Sequence, residues 1–434
     1  MLVKLSLKAL ATPRNKTGES MDLNTVCFIM FSFLLLGYLL LEGFDYGVGM
    51  LHPFLGKSES EKRAILQTIA PVWEGNEVWL IAAGAVLFAG FPDVYATLFS
   101  GLYLALLLIL VTLILRGVAF EFRNQDNNPA WRKFWDWSIF LGSIIPALLW
   151  GIALANLLYG LPIDGEKQYV GTFGDLLSIY SLTGGLFFTL LFLLHGTVFL
   201  TLRLDHRFTP QVRKISLTTS KYAILLSAGF ILLSFLRTDL TAKLAPAVAL
   251  TALFLALLFC CRYLKDHQYV LSFIFSTTAI ISTVAAIFTG LFPRLIVSSL
   301  NPDWSLTVYN SASNPLTLKI MAVTMAIVLP AVLAFEIWKY HIFRERVNIN
   351  NAAIESHKLL WEQLHWQLQQ LITHSRNLIT IIKKGKKTLD SGVNSLDKVP
   401  ETATANELQK FRELIRYGRQ VAKLVAKMIT RLRN

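Results

Sequence analysis

Nine apolar stretches, each close to the roughly 20 residues an α-helix needs to cross the hydrocarbon of a bilayer, constrain this chain more than any other feature. They run at 24–46, 72–91, 94–120, 134–158, 175–202, 217–236, 243–264, 268–292 and 316–342. A backbone in lipid must satisfy its own hydrogen bonds, which leaves helices as the solution for spans of this kind. The expected fold class is therefore an all-α polytopic membrane protein with nine transmembrane helices. The thinnest division lies between the second and third stretches, where only Pro92 and Asp93 mark a turn. With 54% hydrophobic and 16% charged residues, and a mean hydropathy of +0.51, the chain does not have the composition of a soluble domain.

Nine spans place the two ends on opposite sides, and the positive-inside rule chooses between them. With the C-terminus inside, Lys57, Lys62, Arg63, Arg123, Arg132, Lys133, Arg203, Arg207, Arg213, Lys214, Arg262 and Lys265 all fall on the cytoplasmic face. The opposite loops hold only Lys167, Arg237, Lys243 and Arg294. Four further cations, Lys4, Lys8, Arg14 and Lys16, run against the rule, but residues 1–20 carry no span and Met21 stands immediately before the first apolar run. The sequence thus predicts an N-terminal extension at 1–20 outside a chain that starts at Met21, a nine-span domain at 21–345 and a basic extension at 346–434. From Val347 onward there are 15 Lys plus Arg against 7 Asp plus Glu, so most of the net charge of +13 resides there. No aromatic and basic groove pattern accompanies that charge, which argues against nucleic acid as a partner and for a lipid-facing or cytosolic tail. Two helices are expected in it, near 351–385 and 405–432. In the second, Leu408, Phe411, Ile415, Val425, Met428 and Leu432 form an apolar stripe beside Arg412, Arg419, Lys423, Lys427 and Arg431, which suits either an anionic membrane surface or a helical hairpin in the cytosol.

Carboxylates within or beside membrane spans are costly, about 2.5–3.5 kcal/mol at a helix centre, and mark ion or proton routes. Two pairs occur here, Glu42 and Asp45 in LLLEGFDYGVGM and Glu74 and Glu77 in PVWEGNEVWL. Their i,i+3 spacing puts each pair on one helical face. Glu74 and Glu77 also suit the positive end of a helix dipole, but Trp73 and Trp79 set that turn at the interfacial belt and aim Glu74 at a dry region. Asp136 lies between Trp135 and Trp137, with Arg132 one turn back as its expected ion-pair partner. Arg116 and Glu121 read as an interfacial charge set. With the orientation above, Glu42, Asp45, Glu74, Glu77, Glu121 and Asp136 share the cytoplasmic level of four helices, where a bundle lets them converge. Gly43, Gly47 and Gly49 lie in the same segment as Asp45 and allow close approach of a neighbouring backbone.

Two classes of chemistry find little support. Cys27, Cys260 and Cys261 fall in apolar runs without ligand spacing, so they read as small hydrophobic filler rather than disulfides or a metal site. His195, within FLLHGTVFL, is the one clearly intramembrane histidine. A bis-histidine haem needs a second, and a hydrogen-bonded core histidine is the better reading. No residue is assigned as catalytic or metal-binding.

The segments GFDYGVGMLHPFLG, TIAPVWEGNEVWLIAAGAVLFAGFPDVYATLFSGLY and WDWSIFLGSIIPALLWGIALANLLYG, in that order, resemble subunit II of the cytochrome bd quinol oxidases, including the cyanide-insensitive branch. The resemblance covers about residues 21–345. It implies two four-helix bundles plus one helix, in a haem-free subunit paired with a subunit I that carries haem b and haem d and oxidises quinol. It further implies a multi-pass protein of the bacterial inner membrane, with its N-terminus periplasmic and its tail cytoplasmic. Proton delivery is implied for Asp45, Glu74 and Asp136, joined here by Glu42 and Glu77, and haem-site support for Trp73. Small single-span accessory subunits, membrane lipid and a structural quinone are further partners that the resemblance admits. Departures are Glu42 and Glu74 where some members have aspartate, HPF where others have a basic residue, and the long tail. A proton-coupled secondary transporter is the rival class, and a purely structural assembly subunit is the third reading.

Overall fold

The computed structural model describes residues 22–240 and 243–349 together with Gln369. The extension at 1–20, the proposed start at Met21 and the two expected tail helices lie outside these residues, Gln369 apart. The chain divides into two compact units, 1–356 and 357–434, and the description that follows concerns the first.

Helix α1 (Leu23–Leu55) begins where Asp22 accepts the Thr25 amide at 2.6 Å. Its 33 residues make about 50 Å at 1.5 Å per residue, well beyond the hydrocarbon thickness of about 30 Å. A short polar helix, α2 (Glu59–Gln67), follows outside the expected stretches; Ser58 and Glu61 form a capping box at its start. Then come α3 (Trp73–Gly90), α4 (Pro92–Gly101) and α5 (Tyr103–Phe122). The third expected span, 94–120, is thus two helical pieces interrupted at Leu102. Helix α6 (Pro129–Tyr159) is capped by Asn128, has Pro129 in its first turn, and ends at Gly160, whose φ of 108° suits glycine. The remaining helices are α7 (Ile179–Arg203), α8 (Thr209–Arg237), α9 (Leu244–Lys265), α10 (Tyr269–Leu291) and α11 (Pro315–Ile342). Between the last two, β1 (Arg294–Ile296) and β2 (Leu306–Thr307) form a small antiparallel pair with Arg294 opposite Thr307.

Among the described residues, eight helices are long and apolar enough to cross a membrane: α1, α5, α6, α7, α8 with its preceding turn, α9, α10 and α11. The eighteen-residue α3 is not among them, and its opening WEGNE is polar. The protein is a polytopic helical membrane protein, and its outer faces match. Ile81, Ile114, Leu225 and Ile327 are exposed, as lipid-facing side chains are.

Helix α1 is the hub, with α3, α6, α7, α10 and α11 all packed on it. Helix α5 packs on α6, α6 on α7, α7 on α8, and α9 pairs with α10. The α1–α7 crossing is close because it is glycine on glycine. A Cβ on Gly47 would run into the backbone of Phe192 and Gly196, and one on Gly196 into that of Gly47. A Cβ on Gly43 would press on the Phe192 ring, and one on Gly49 would strike Ser143 Oγ. These contacts keep the middle of α1 buried on all sides, from Glu42 to His52.

Candidate functional site

That burial forces every charge on this part of α1 to find a partner on another helix. Glu42 and Asp45 are both 0% exposed. Arg116, two turns before the end of α5 and equally buried, forms an ion pair with Glu42 through Nη2 and reaches Glu77 of α3 at 2.9 Å. The Arg116 guanidinium also lies 4.9 Å above the Tyr46 ring, a cation–π contact. Asp45 accepts a hydrogen bond from Asn76 Nδ2 at 2.7 Å, and Tyr340 of α11 donates to Asn76 Oδ1 at 2.8 Å. Beyond them the Tyr38 and Tyr46 hydroxyls share a hydrogen bond, and Trp150 of α6 donates to Tyr38 at 3.2 Å. Three carboxyl groups therefore face one guanidinium. Among the described residues, Glu42 Oε2, Asp45 Oδ1, and Arg116 Nε and Nη1 are buried without a hydrogen-bond partner, which leaves capacity for water and exchangeable protons.

A second cluster lies two turns further along the same helices. Asp136 of α6, 2% exposed, accepts from Arg123 Nε at 2.5 Å and from Lys62 Nζ at 2.8 Å. The His52 Nε2 is 3.5 Å from its Oδ1. Arg123 also binds Glu59 at 3.0 Å. A cleft of about 430 Å³, lined by Glu59, Lys62, Lys133, Asp136, Pro53 and Trp137 among others, leads to this carboxylate. Asp45 to His52 and Arg116 to Arg123 are each seven residues, about 10 Å along a helix. The two clusters are consecutive rungs on α1 and α5.

Several expectations need correction. Arg116 is not interfacial: it is fully buried, because Glu42 and Glu77 neutralise it. Arg132 does not pair with Asp136 but with Glu59 at 3.4 Å and the Asp126 carbonyl at 3.1 Å, since Arg123 and Lys62 already occupy the carboxylate. The six carboxylates do not converge as one group. Glu42, Asp45 and Glu77 gather around Arg116 and Asp136 stands apart, while Glu74 and Glu121 are exposed on this chain; Glu74 thus faces outward, because the face of α3 presented to α1 carries Asn76 instead. Trp73 is half-buried, its ring 5.1 Å from Phe120. The residues that sequence reasoning missed are Arg116, Arg123, Lys62, His52, Asn76 and Tyr340. Only Arg116 gave a signal, an arginine after the apolar run LALLLILVTLIL.

Among the described residues no group of three or more His, Cys, Asp or Glu side chains could hold a metal ion. His195 is stacked on Phe273 at 4.8 Å, lies 5.9 Å from the Phe44 ring, and bonds Ser276 Oγ through Nδ1 at 2.8 Å. His52 is committed to the Asp136 cluster.

Fold and site together define a polytopic membrane protein that brings carboxylates and arginines of α1, α3, α5 and α6 together in its interior. The family model for cytochrome bd terminal oxidase subunit II matches residues 23–343, and the chain belongs to that family. It is 36% identical over 329 residues to the cytochrome bd ubiquinol oxidase subunit 2 of Bacillus subtilis (strain 168), covering 75% of this chain and 97% of that one. It is 30% identical over 377 residues to the cytochrome bd-I ubiquinol oxidase subunit 2 of Escherichia coli (strain K12), covering 78% and 98%. The fold is similar to a chain in the structure of bd oxidase from Geobacillus thermodenitrificans, with a TM-score of 0.62, 20% identity, and coverage of 74% of this chain and 97% of that one. The protein is accordingly a subunit of a quinol oxidase complex, an oxidoreductase whose complex contains haem and which includes a subunit I.

Proposed function

We propose that this chain is the haem-free subunit of the oxidase and delivers protons from the cytoplasm toward haems b and d carried by subunit I, where quinol is oxidised and dioxygen is reduced to water. The observation that carries this reading is the pair of rungs. A cleft reaches Asp136, and Asp45, Glu42 and Glu77 lie two turns deeper with unpartnered carboxylate oxygens on Glu42 and Asp45. Glu74, exposed on α3 near Trp73, stands at a surface that a partner would cover, suited to handing protons on while Trp73 supports the partner's haem site. Gly43, Gly47 and Gly49 hold α1 close enough to its neighbours to keep the rungs in register. Nine crossings are proposed, with α3 completing a first group of four alongside α1, α5 and α6. Helices α7 to α10 form a second group, and α11 is the ninth. The N-terminus is periplasmic and the tail cytoplasmic in the bacterial inner membrane, with lipid, accessory single-span subunits and a structural quinone as further partners.

In the purified complex, Asp45→Asn and Asp136→Asn each remove a protonatable group while keeping its shape. Oxygen consumption is expected to fall about 10²-fold, in the range typical of lost proton transfer, with haem absorbance retained. Wild-type turnover in both variants would refute the reading. Loss of haem absorbance together with activity would favour a structural assembly role, which the Arg116 ion pairs with Glu42 and Glu77 also suit.

A further inference from the structure

At the outer rung, α1 offers one protonatable side chain with two faces. His52 is 0% exposed and sits seven residues after Asp45 on the same buried helix. Its Nε2 points at Asp136 Oδ1 from 3.5 Å, too far for a good hydrogen bond and close enough for one to form with a small movement. Neither ring nitrogen has a hydrogen-bond partner among the described residues. A buried imidazole packed for structure alone normally satisfies at least one nitrogen, as His195 does with Ser276. The charged groups that face it are Asp136 from α6, Arg123 from α5 and Lys62 from α2. The two cations oppose a lasting positive charge on the ring, and Asp136 favours a passing one. Back along α1 toward Asp45, Gly49 packs against Ser143, whose Oγ a Cβ on Gly49 would strike. These neighbours are small, and Ser143 is itself hydroxylated.

We propose that His52 is the group that carries protons between Asp136 and the inner carboxylates. A proton entering by the cleft passes by way of the Asp136 carboxylate, which Arg123 and Lys62 hold ionised, to Nε2 and forms an imidazolium; Nδ1 then releases its own proton inward, through water, to an inner carboxylate. The ring returns to the neutral form, and one proton has moved with no net change at His52. The proposal rests on the proton-uptake reading above and names the bridge that reading lacks. An imidazole suits that position because it can accept a proton at one nitrogen and release one from the other.

The test uses the complete oxidase complex and measures proton uptake with a soluble pH dye beside haem absorbance. His52→Gln keeps polarity and size but cannot relay, and is expected to slow proton uptake and oxygen consumption by about 10²-fold at unchanged haem absorbance. His52→Ala is expected to be equally slow and to recover when imidazole is added. Wild-type uptake in His52→Gln while Asp45→Asn is slow would overturn the relay and leave the uptake reading standing. Wild-type uptake in all three would overturn both. Slow uptake in His52→Ala that imidazole does not restore would assign His52 to packing alone and overturn the proposal.

Discussion

The first helices and the later ones bury polar groups in different ways. Helices α1, α3, α5 and α6 bury Glu42, Asp45, His52, Asn76, Arg116 and Asp136, with Arg123 at the end of α5. Helices α7 to α10 bury hydroxyls and one histidine, and no Asp, Glu, Lys or Arg. Most of those hydroxyls are satisfied within their own helix: Thr197, Ser216, Ser234 and Thr283, for example, donate to a carbonyl three or four residues back. A hydroxyl that bonds its own backbone needs nothing from its neighbours. A buried carboxylate or guanidinium has no such outlet, so every charge in the first region depends on a partner from another helix. The first region is therefore held in register by its chemistry, and the second mainly by packing.

The strongest way to break this contrast is to remove the cation that the first region shares. Arg116→Met leaves Glu42 and Glu77 without their partner, and the expected cost is about 3–5 kcal/mol, read as lost complex yield and a lower thermal midpoint. Wild-type assembly of this variant would show that the inner rung does not need the ion pair. The boundary between the regions is the next point. Gly47→Val places side-chain atoms where the Gly196 backbone lies, and a cost of about 1–3 kcal/mol is expected, with turnover falling because the rungs shift with α1. Unchanged stability and turnover would show that α1 and α7 separate freely. The smallest effect belongs to the second region. Ser276→Ala removes the hydroxyl at His195 Nδ1 and is expected to cost about 1 kcal/mol with oxygen consumption unchanged; a large fall in turnover would mean that the second region also handles protons.

Much of the site was legible because its acids violate the rule that membrane spans exclude charge. Glu42, Asp45 and Glu77 stood out for that reason, and α1 with α3 brings them together. Their partners were hidden by distance along the chain. Arg116 lies 74 residues from Glu42, and Arg123 and Lys62 lie in segments where a cation near a helix end looks like ordinary positive-inside charge. Arg132 was the obvious neighbour of Asp136, yet proximity in sequence lost to Arg123, whose helix packs alongside α6. Asn76 was invisible because an amide inside a helix is unremarkable until it meets a buried carboxylate.

The sequence by itself determined that this chain lives in a membrane as helices, since apolar runs of that length can satisfy their backbones in no other way. It also determined that α1 would carry acids which need a reason. Tertiary structure alone decided which acids face inward, which cations meet them, and that His52 stands beside Asp136. The physical cause is one of range: hydropathy is a local property that each stretch carries alone, whereas the pairing of a buried charge is settled only when helices from distant parts of the chain close around it.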